Sequence, residues 1–364
     1  MELLDYKLET LRQDEEFILY RGLRQTKTET SPWSILVLSP AKEVPASATF
    51  ERMKHEFSLR EDLDSRWAVR PLAIGQDRDR TVLLLEDPGG EPLDRLLGAP
   101  MEAASFLRFA VGITAALSKL HEHGLVHKDF KPANILVNFS DGQARLTGYG
   151  IASRLPCERQ AGEPPETIAG TLAYIAPEQT GRINCPVDYR SDLYSLGVTF
   201  YQMLTGSLPF TASDPMEWVY CHIARKPVPP SERLRSVPTP VSQIIMKLLA
   251  KAADERYQTA AGVESDLRRC LAECEVQGRI AEFRLGQHDA PNQLLISEKL
   301  YGREREIRTL LDCFERVVKS GAPELVLVAG YSGIGKSALV NELHKVLAHC
   351  GGLYGSGKFD QYKR

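Results

Sequence analysis

The stretch from Val126 to Val137 reads VHKDFKPANILV and concentrates side chains that could take part in chemistry. A charged cluster, HKDFK, is followed by Asn134 and then by the apolar, strand-prone run ILV. Phosphoryl transfer is a reaction that requires little covalent chemistry from a protein and much positioning of charge. The cluster therefore raises the question of whether the groups that bind phosphate accompany it.

A second group of residues could bind phosphate directly. Glu324 to Ala329 is a strand candidate, and it is followed by GYSGIGKS and then by the helical sequence ALVNELHKVL. A Gly-x4-Gly-Lys-Ser loop between a strand and a helix offers backbone amides and a helix N-terminus to phosphates. We expect Lys336 to reach the β- and γ-phosphates of a bound nucleotide and Ser337 to ligate Mg²⁺. The predicted phosphate-binding residues are Gly330, Gly333, Gly335, Lys336 and Ser337.

Composition excludes several classes of protein. The chain has 364 residues, enough for two or three domains, and its 45 Lys and Arg residues nearly balance 48 Asp and Glu residues, which leaves a net charge of −3. No long stretch is strongly basic, so neither nucleic acid nor an anionic membrane is an expected partner. The longest apolar runs are far shorter than the roughly 18 residues that a membrane-spanning helix requires.

The N-terminus and the cysteines indicate the compartment. The first ten residues, MELLDYKLET, lack the basic-then-apolar order of a signal peptide. Seven cysteines are scattered without a CxxC pair, and the eight histidines have no metal-ligand spacing. We therefore expect a cytoplasmic protein with free thiols.

The first ninety residues have the pattern of a small β-rich lobe. Phe17 to Tyr20 and Ser34 to Leu38 are predicted strands, joined by a polar turn from Arg21 to Ser31. Thr49 to Leu63 has helical spacing, and two further strands are predicted from Trp67 to Ile74 and from Thr81 to Glu86. Glu86 to Gly89 would then be a hinge.

Helices dominate the following residues. Ala103 to His123 is the strongest helix prediction, because apolar residues recur at three- and four-residue steps, and Gly124 is expected to end it. Further helices are predicted around Leu193 to Leu204 and Val241 to Ala250.

Four motifs occur in an order that resembles a known family. The motifs HKDFKPAN, GTLAYIAPEQ and SDLYSLG, followed by Arg256, make residues 1 to about 275 similar to a eukaryotic-type serine/threonine protein kinase domain. The resemblance implies an α+β two-lobed protein-kinase fold, with a β-rich lobe at about 1–87 and a helical lobe at about 91–275. It also implies ATP and Mg²⁺ as cofactors and a protein as substrate.

The resemblance assigns roles to individual residues. Asp129 would be the catalytic base, Lys131 the partner of the phosphate charge, and Asn134 a metal ligand. Thr171 resembles the threonine that bridges the catalytic aspartate and lysine, and Asp192 resembles the buried aspartate that fixes the catalytic loop. The remaining pair, which would secure the end of the activation segment, is Glu178 and Arg256.

Several chemical positions depart from the family pattern. Gly148 stands where the family has a metal-binding aspartate, and Val37 or Leu38 stands where it has a strand lysine that clamps phosphates. The turn from Arg21 to Ser31, expected at the position of the glycine-rich loop, offers only Gly22. Because its lysine partner is missing, Glu56 is expected to be an exposed helical residue.

The C-terminal segment resembles another family. Together with the Gly-x4-Gly-Lys-Ser loop, the sequence YGREREI at 301–307 resembles the entry of NTPase modules of the STAND and AAA types. Residues 276–299 are predicted to be a linker, and residues 300–364 the N-terminal part of an α/β P-loop NTPase domain, incomplete in this chain. Both modules together resemble multidomain bacterial signalling kinases, in which the partners would be modules of the same longer polypeptide.

Three functions remain open from the sequence. The first is an active serine/threonine kinase that transfers the γ-phosphate of ATP to protein hydroxyls. The second is a pseudokinase head, a fold kept for binding or regulation after its chemical positions are lost. The third places the main nucleotide function in the P-loop module.

Overall fold

The computed structural model describes most of the chain, namely residues 6–24, 33–77, 80–139, 141–154, 170–183, 185–290 and 302–331, with 334–336, 339–340 and 343. Two lobes form, the first rich in strands and the second in helices. This is the two-lobed architecture that the sequence predicts.

The small lobe is a five-stranded antiparallel sheet with one helix against it. Its spatial order is β1-β2-β3-β5-β4. The elements are β1 (Tyr6–Gln13), β2 (Phe17–Arg24), β3 (Trp33–Pro40), α1 (Ser47–Ser58), β4 (Pro71–Asp77) and β5 (Arg80–Glu86). Strand β1 was not predicted, because its sequence YKLETLRQ alternates apolar with charged residues only irregularly.

Apolar residues cover both faces of this sheet. In β3, Leu36 and Leu38 belong to the cluster that faces α1, whereas Ile35 and Val37 belong to a cluster on the opposite face. Successive side chains of a strand point to opposite faces, so a strand that is buried on both sides has a continuous apolar run. That is why SILVL contains no polar residue after its first position.

The second lobe packs its helices around α2. Its elements are β6 (Glu91–Pro92), α2 (Ala103–Glu122), β7 (Leu125–Val126), β8 (Ile135–Val137), β9 (Ala144–Leu146), β10 (Ser153–Arg154), α3 (Tyr189–Thr205), α4 (Pro215–Ile223), α5 (Pro230–Arg233), α6 (Thr239–Leu248) and α7 (Ala260–Gln277).

Helix α2 begins at a cap and ends at a glycine. The Glu102 carboxylate accepts hydrogen bonds from the backbone N–H groups of Ala104 and Ser105. Gly124, with φ of 73°, follows the helix as predicted. Among the described residues α2 is the one helix long and apolar enough to cross a membrane, but its apolar side chains form the core of this lobe, which accounts for its composition.

The segment after α7 packs against the helical lobe. We call residues 279–290 the strap. Ile280, Phe283 and Leu285 are partly buried against the core of the lobe. The first half of the predicted linker is thus attached to the kinase-like domain, whereas residues 291–299 lie outside the described part of the chain.

Polar contacts fasten the strap to the start of α7. The Asp289 carboxylate accepts hydrogen bonds from the N–H groups of Gln258 and Thr259 at 2.7 and 2.9 Å and from the Thr259 hydroxyl at 2.9 Å. A Cβ atom on Gly262 would lie 2.5 Å from this carboxylate, so the close approach requires glycine there. Asp289 therefore orders the helix and the strap together.

The C-terminal segment contains one further helix, α8 (Glu304–Ser320). The strand predicted from Glu324 to Ala329 does not form, because no described segment pairs with it, and Leu325 and Leu327 are exposed. Lys336, Leu339, Val340 and Leu343 are helical, and the rest of the predicted helix lies outside the described residues.

We predict that Asp289→Ala lowers the free energy of unfolding of the kinase-like domain by about 2 kcal/mol, because it leaves two backbone N–H groups without their acceptor. Urea unfolding followed by circular dichroism measures this change. Glu282→Ala, an exposed acidic residue of the same strap, is the matched control. Equal stability of both variants would contradict the proposed anchoring.

Candidate functional site

The loop from His127 to Asn134 is held by one carboxylate beneath it. Asp192 of α3 is 1% exposed and accepts hydrogen bonds from the N–H groups of His127 and Lys128 at 2.8 and 2.9 Å. Lys128 has φ of 66°. Among the described residues it is the one non-glycine residue with a positive φ. Such a backbone is unfavourable by roughly 1–3 kcal/mol and persists only where surrounding contacts enforce it.

The buried imidazole of His127 supports this loop through hydrogen bonds. Its Nε2 lies 3.0 Å from the carbonyl oxygen of Thr147, and its Nδ1 lies 3.3 Å from the N–H of Asp129, from which it accepts. Burial lowers the pKa of His127, against the opposing effect of Asp192. The ring is therefore neutral and links the loop to the end of β9.

Four predicted catalytic and metal-binding residues meet at Asp129. One carboxylate oxygen accepts from the N–H and the hydroxyl of Thr171, both at 2.9 Å. The other lies 3.0 Å from Lys131 Nζ and 3.1 Å from Asn134 Nδ2. Burial alone would raise the pKa of Asp129, but the Lys131 ammonium, together with His127 and the Thr171 hydroxyl, lowers that pKa. Thr171 also accepts from Lys131 Nζ at 2.7 Å, so it bridges the two as the resemblance implies.

Asn134 and Gly148 face each other without space between them. Gly148 has φ of +81°, and a Cβ atom on it would lie 2.7 Å from Asn134 Oδ1. That oxygen is buried and lacks a hydrogen-bond partner among the described residues. It is suited to one bond from a metal ion. The described residues contain no group of three His, Cys, Asp or Glu side chains positioned to bind a metal, so they fit only part of a Mg²⁺ site.

Glu56 is buried, and the prediction that it is exposed was wrong. Its side chain accepts hydrogen bonds from the backbone N–H groups of Gly148, at 3.3 Å, and Tyr149. Burial raises the pKa of Glu56 to about 7, although these N–H groups and Arg12 oppose the rise. Sequence reasoning assigned this glutamate one possible partner, the missing lysine, and overlooked the backbone donors.

Leu38 occupies the position on β3 that faces the cleft. It lines the cavity between the lobes and pairs with Leu19 of β2, whereas Val37 lies on the other face of the sheet. Of the two residues considered for the missing strand lysine, Leu38 is therefore the one that replaces its charge with apolar surface.

The hairpin over the cleft differs from the predicted one. Residues Asp14 to Glu16 join β1 to β2 and line the cavity, so the loop over the cleft was placed wrongly at Arg21 to Ser31. Arg21 to Arg24 belong to β2, and residues 25–31 lie outside the described part of the chain. Asp14 accepts from the N–H groups of Glu16 and Phe17, and Glu16 forms an ion pair with Arg52 of α1. The hairpin is acidic and contains no glycine.

The cavity between the lobes covers only part of the cleft. Its volume is about 350 Å³, and its lining includes Asp129, Asn134, Gly148 and Glu56 but no residue of the hinge. Next to the hinge, five leucines from both lobes belong to one buried cluster: Leu11, Leu19, Leu36, Leu85 and Leu136. The space near the hinge is therefore filled by side chains.

A buried ion pair closes the end of the activation segment. Arg256 Nη1 and Nη2 donate to the two oxygens of Glu178 at 2.6 and 2.9 Å, and both side chains are about 2% exposed. Burial alone would raise the pKa of Glu178, but the charge and hydrogen bonds of Arg256, together with the Ser191 hydroxyl, lower that pKa below its ordinary value. The predicted pair is therefore formed and ionised.

Part of the second phosphate-binding motif is described. Lys336 Nζ donates to the carbonyl oxygens of Gly330 and Tyr331, both at 2.8 Å, and Gly335 has φ of 91°. The ammonium is thus held against the loop that the sequence predicts to bind phosphate. Gly333 and Ser337 lie outside the described residues.

Known proteins match this chain in two parts. Residues 30–267 match the family described as protein kinase domain, and residues 299–364 match the AAA ATPase domain. The chain is 38% identical over 214 residues to hybrid signal transduction histidine kinase G of Dictyostelium discoideum, covering 53% of this chain and 6% of that protein.

Bacterial kinases are similarly related. Identity to the serine/threonine-protein kinase PknB of Mycolicibacterium smegmatis is 40% over 154 residues, or 42% of this chain and 24% of that protein. Identity to a probable serine/threonine-protein kinase of Clostridium perfringens is 32% over 222 residues, or 60% of this chain and 31% of that protein. The chain thus spans less than a third of the length of each of these relatives.

Glu56 gives the domain a pH-dependent stability. Its carboxyl has an ordinary pKa of 4.5 when unfolded and a pKa of about 7 when folded, so the folded state binds the proton more tightly. We predict that the free energy of unfolding falls by about 3 kcal/mol between pH 4.5 and pH 7, relative to that of Glu56→Gln. Below pH 4.5 the difference in free energy of unfolding between the unmodified protein and Glu56→Gln should be constant.

Urea unfolding of both proteins at a series of pH values measures this effect. Glu61→Gln, at an exposed position shortly after α1, is the control and should titrate like the unmodified protein. A difference between the unmodified protein and Glu56→Gln that does not change with pH would contradict the prediction.

Proposed function

Because this chain belongs to the protein kinase family and continues into an AAA ATPase domain, we propose that its kinase-like domain is a regulatory head that does not transfer phosphate. Its task is to control the P-loop ATPase that follows in the same polypeptide. The proposal includes a cytoplasmic location, which the thiols of Cys221, Cys270, Cys274 and Cys313 support.

The filled space beside the hinge carries this proposal. A nucleotide bound between the lobes would need a slot for its base, and there Leu136 of the helical lobe packs with leucines of the small lobe. Opening the slot would expose several buried leucines, each of which contributes about 2 kcal/mol through burial. ATP binding must therefore overcome a sizeable apolar interaction before it gains any contact of its own.

Changes of charge support the same conclusion. Leu38 replaces the strand cation, Gly148 replaces a metal-binding carboxylate, and the acidic hairpin from Asp14 to Glu16 covers the cleft. Each missing group would act on the transferring phosphoryl, where the loss of one such interaction weakens catalysis by several kcal/mol.

Asp129 is also poorly available as a base. Its two oxygens accept four hydrogen bonds, from Thr171, Lys131 and Asn134, which uses the lone pairs that a carboxylate offers. A substrate hydroxyl could bind there only if one of these bonds broke. The cluster therefore acts as a structural support of the activation segment.

The strap supports a coupling between the head and the ATPase. Arg256, which binds Glu178 at the end of the activation segment, precedes Tyr257, whose hydroxyl donates to Asp266 at 2.6 Å. Asp266 also accepts from the N–H of Gly286 in the strap at 2.7 Å. Contiguous contacts thus lead from the activation segment to the segment that enters the ATPase domain.

The similarity to hybrid signal transduction histidine kinase G agrees with a head in a longer signalling protein. The phosphorylation of protein hydroxyls is the second candidate function. The intact contacts of Asp129 with Lys131 and Thr171 favour it, because they reproduce the arrangement that the resemblance implies for an active site.

Phosphate transfer distinguishes the two candidates. We predict that the Lys336→Ala variant, in which the P-loop site is disabled, gains no thermal stability from ATP with Mg²⁺ and incorporates no γ-phosphate above the level of the same variant with Asp129→Asn. Differential scanning fluorimetry and radiolabelled ATP measure the two quantities. Stabilisation that requires Mg²⁺, together with incorporation that Asp129→Asn abolishes, would establish the active kinase instead.

The P-loop assignment is tested in a protein that contains the complete ATPase domain. We predict that Lys336→Ala weakens ATP binding at least about tenfold, because the ammonium that contacts the β- and γ-phosphates is lost. Lys319→Ala, an exposed lysine of α8, is the control. Unchanged binding after Lys336→Ala would remove the P-loop from the proposal.

The same protein tests the coupling. Asp289→Ala should change the rate of ATP hydrolysis several-fold, whereas Glu282→Ala should leave it unchanged, since Asp289 is the one of these two residues that hydrogen-bonds to the start of α7. Equal rates in both variants would separate the strap from regulation of the ATPase.

A further inference from the structure

Arg12 is directed into the cleft by an irregularity of its strand. The register of β1 against β2 shifts between Thr10 and Arg12, so one extra residue is accommodated there. In a regular strand Leu11 and Arg12 would point to opposite faces, but here Leu11 is 3% exposed and the Arg12 side chain 8% exposed. A bulge of this kind redirects a side chain, and Arg12 lines the cavity between the lobes.

The guanidinium of Arg12 is incompletely satisfied. Its Nε is buried and has no hydrogen-bond partner among the described residues. Its ion pair with Asp14 is 3.6 Å long, beyond hydrogen-bond distance. A buried donor without an acceptor is unfavourable, and more so when it is charged. The site therefore contains a binding capacity that the described side chains leave unused.

The other two cations of the cavity are already paired. Arg52 binds Glu16, and Lys131 binds Asp129 and Thr171. The carboxyl of Glu56 is close enough to Arg12 to interact with its charge, and it is held by backbone N–H groups. Arg12 is thus the cation of this cavity that can accept a new anionic partner with the least rearrangement.

We propose that Arg12 takes the place of the missing strand lysine and binds a phosphate-containing anion in the cavity between the lobes. A guanidinium suits this ligand, since it can donate two parallel hydrogen bonds to phosphate oxygens. The cavity volume of about 350 Å³ accommodates an anion of the size of pyrophosphate. The restriction to a ligand without a base rests on the proposed function, because it depends on the leucines that fill the space beside the hinge.

Isothermal titration calorimetry at low ionic strength tests this site, with pyrophosphate and orthophosphate as probes and the Lys336→Ala protein as the reference. Disabling the P-loop in every sample removes the other phosphate site. Pyrophosphate should bind the reference protein, and Arg12→Gln should weaken binding at least about tenfold. Arg12→Lys should retain part of the affinity, because a lysine keeps the charge without the bidentate contact.

Two further variants sharpen the result. Asp14→Asn removes a carboxylate beside the guanidinium and should tighten binding of pyrophosphate several-fold. Arg66→Gln removes an exposed arginine outside the cavity and should leave the affinity for pyrophosphate unchanged. Circular dichroism and thermal unfolding establish that each variant is folded. If Arg12→Gln does not fold, the comparison of Asp14→Asn with the reference protein still tests the site.

The outcomes separate this inference from the proposed function. Equal pyrophosphate affinity of the reference and Arg12→Gln proteins, or no binding to either the reference or Asp14→Asn protein, overturns the inference. ATP binding that Arg12→Gln weakens supports Arg12 as the phosphate-binding residue and at the same time counts against a head that excludes nucleotide.

Discussion

The buried carboxylate of Asp192 is the contact on which the site depends. Its two oxygens accept the N–H groups of His127 and Lys128, and this pair of bonds stabilises a backbone conformation that lysine rarely adopts. Because the chain turns there, Asp129 points toward Thr171 and Asn134 turns back toward Asp129. The positions of Asp129 and Asn134 thus depend on one buried acceptor on α3.

Buried polar residues that support the loops and cleft residues that act on phosphate respond differently to substitution. Removing either partner from the pair of Glu178 and Arg256 would leave a buried charge without compensation, which is unfavourable by about 3–5 kcal/mol. Replacing a cleft lysine by Leu38 instead adds apolar contact with Leu19 and is compatible with stability. The fold can therefore keep its loop, its anchors and its two lobes while the groups that act on phosphate disappear.

The sequence predicted what is encoded in local motifs and in regular periodicity. Helix α2 and the bridge that Thr171 forms between Asp129 and Lys131 were predicted, since regular periodicity specifies the helix and a family motif specifies the bridge. The direction of the Arg12 side chain was not predicted, because a β-bulge interrupts the two-residue period from which the direction of a side chain is inferred. The burial of Glu56 was missed for another reason: its partners are backbone N–H groups, which no residue type reveals.

The two halves of the cleft have different physical character for a common reason. The side near the hinge is enclosed by apolar positions of β1, β2, β3 and β8, and leucine at each of them allows the lobes to meet without a ligand. The other side is lined by charged groups on the hairpin, on α1 and on the catalytic loop, and charges of both signs cannot collapse into a dry core without complete pairing. A polar cavity therefore remains where an apolar one has closed, and Arg12, whose pairing is incomplete, lies in the half that stays open.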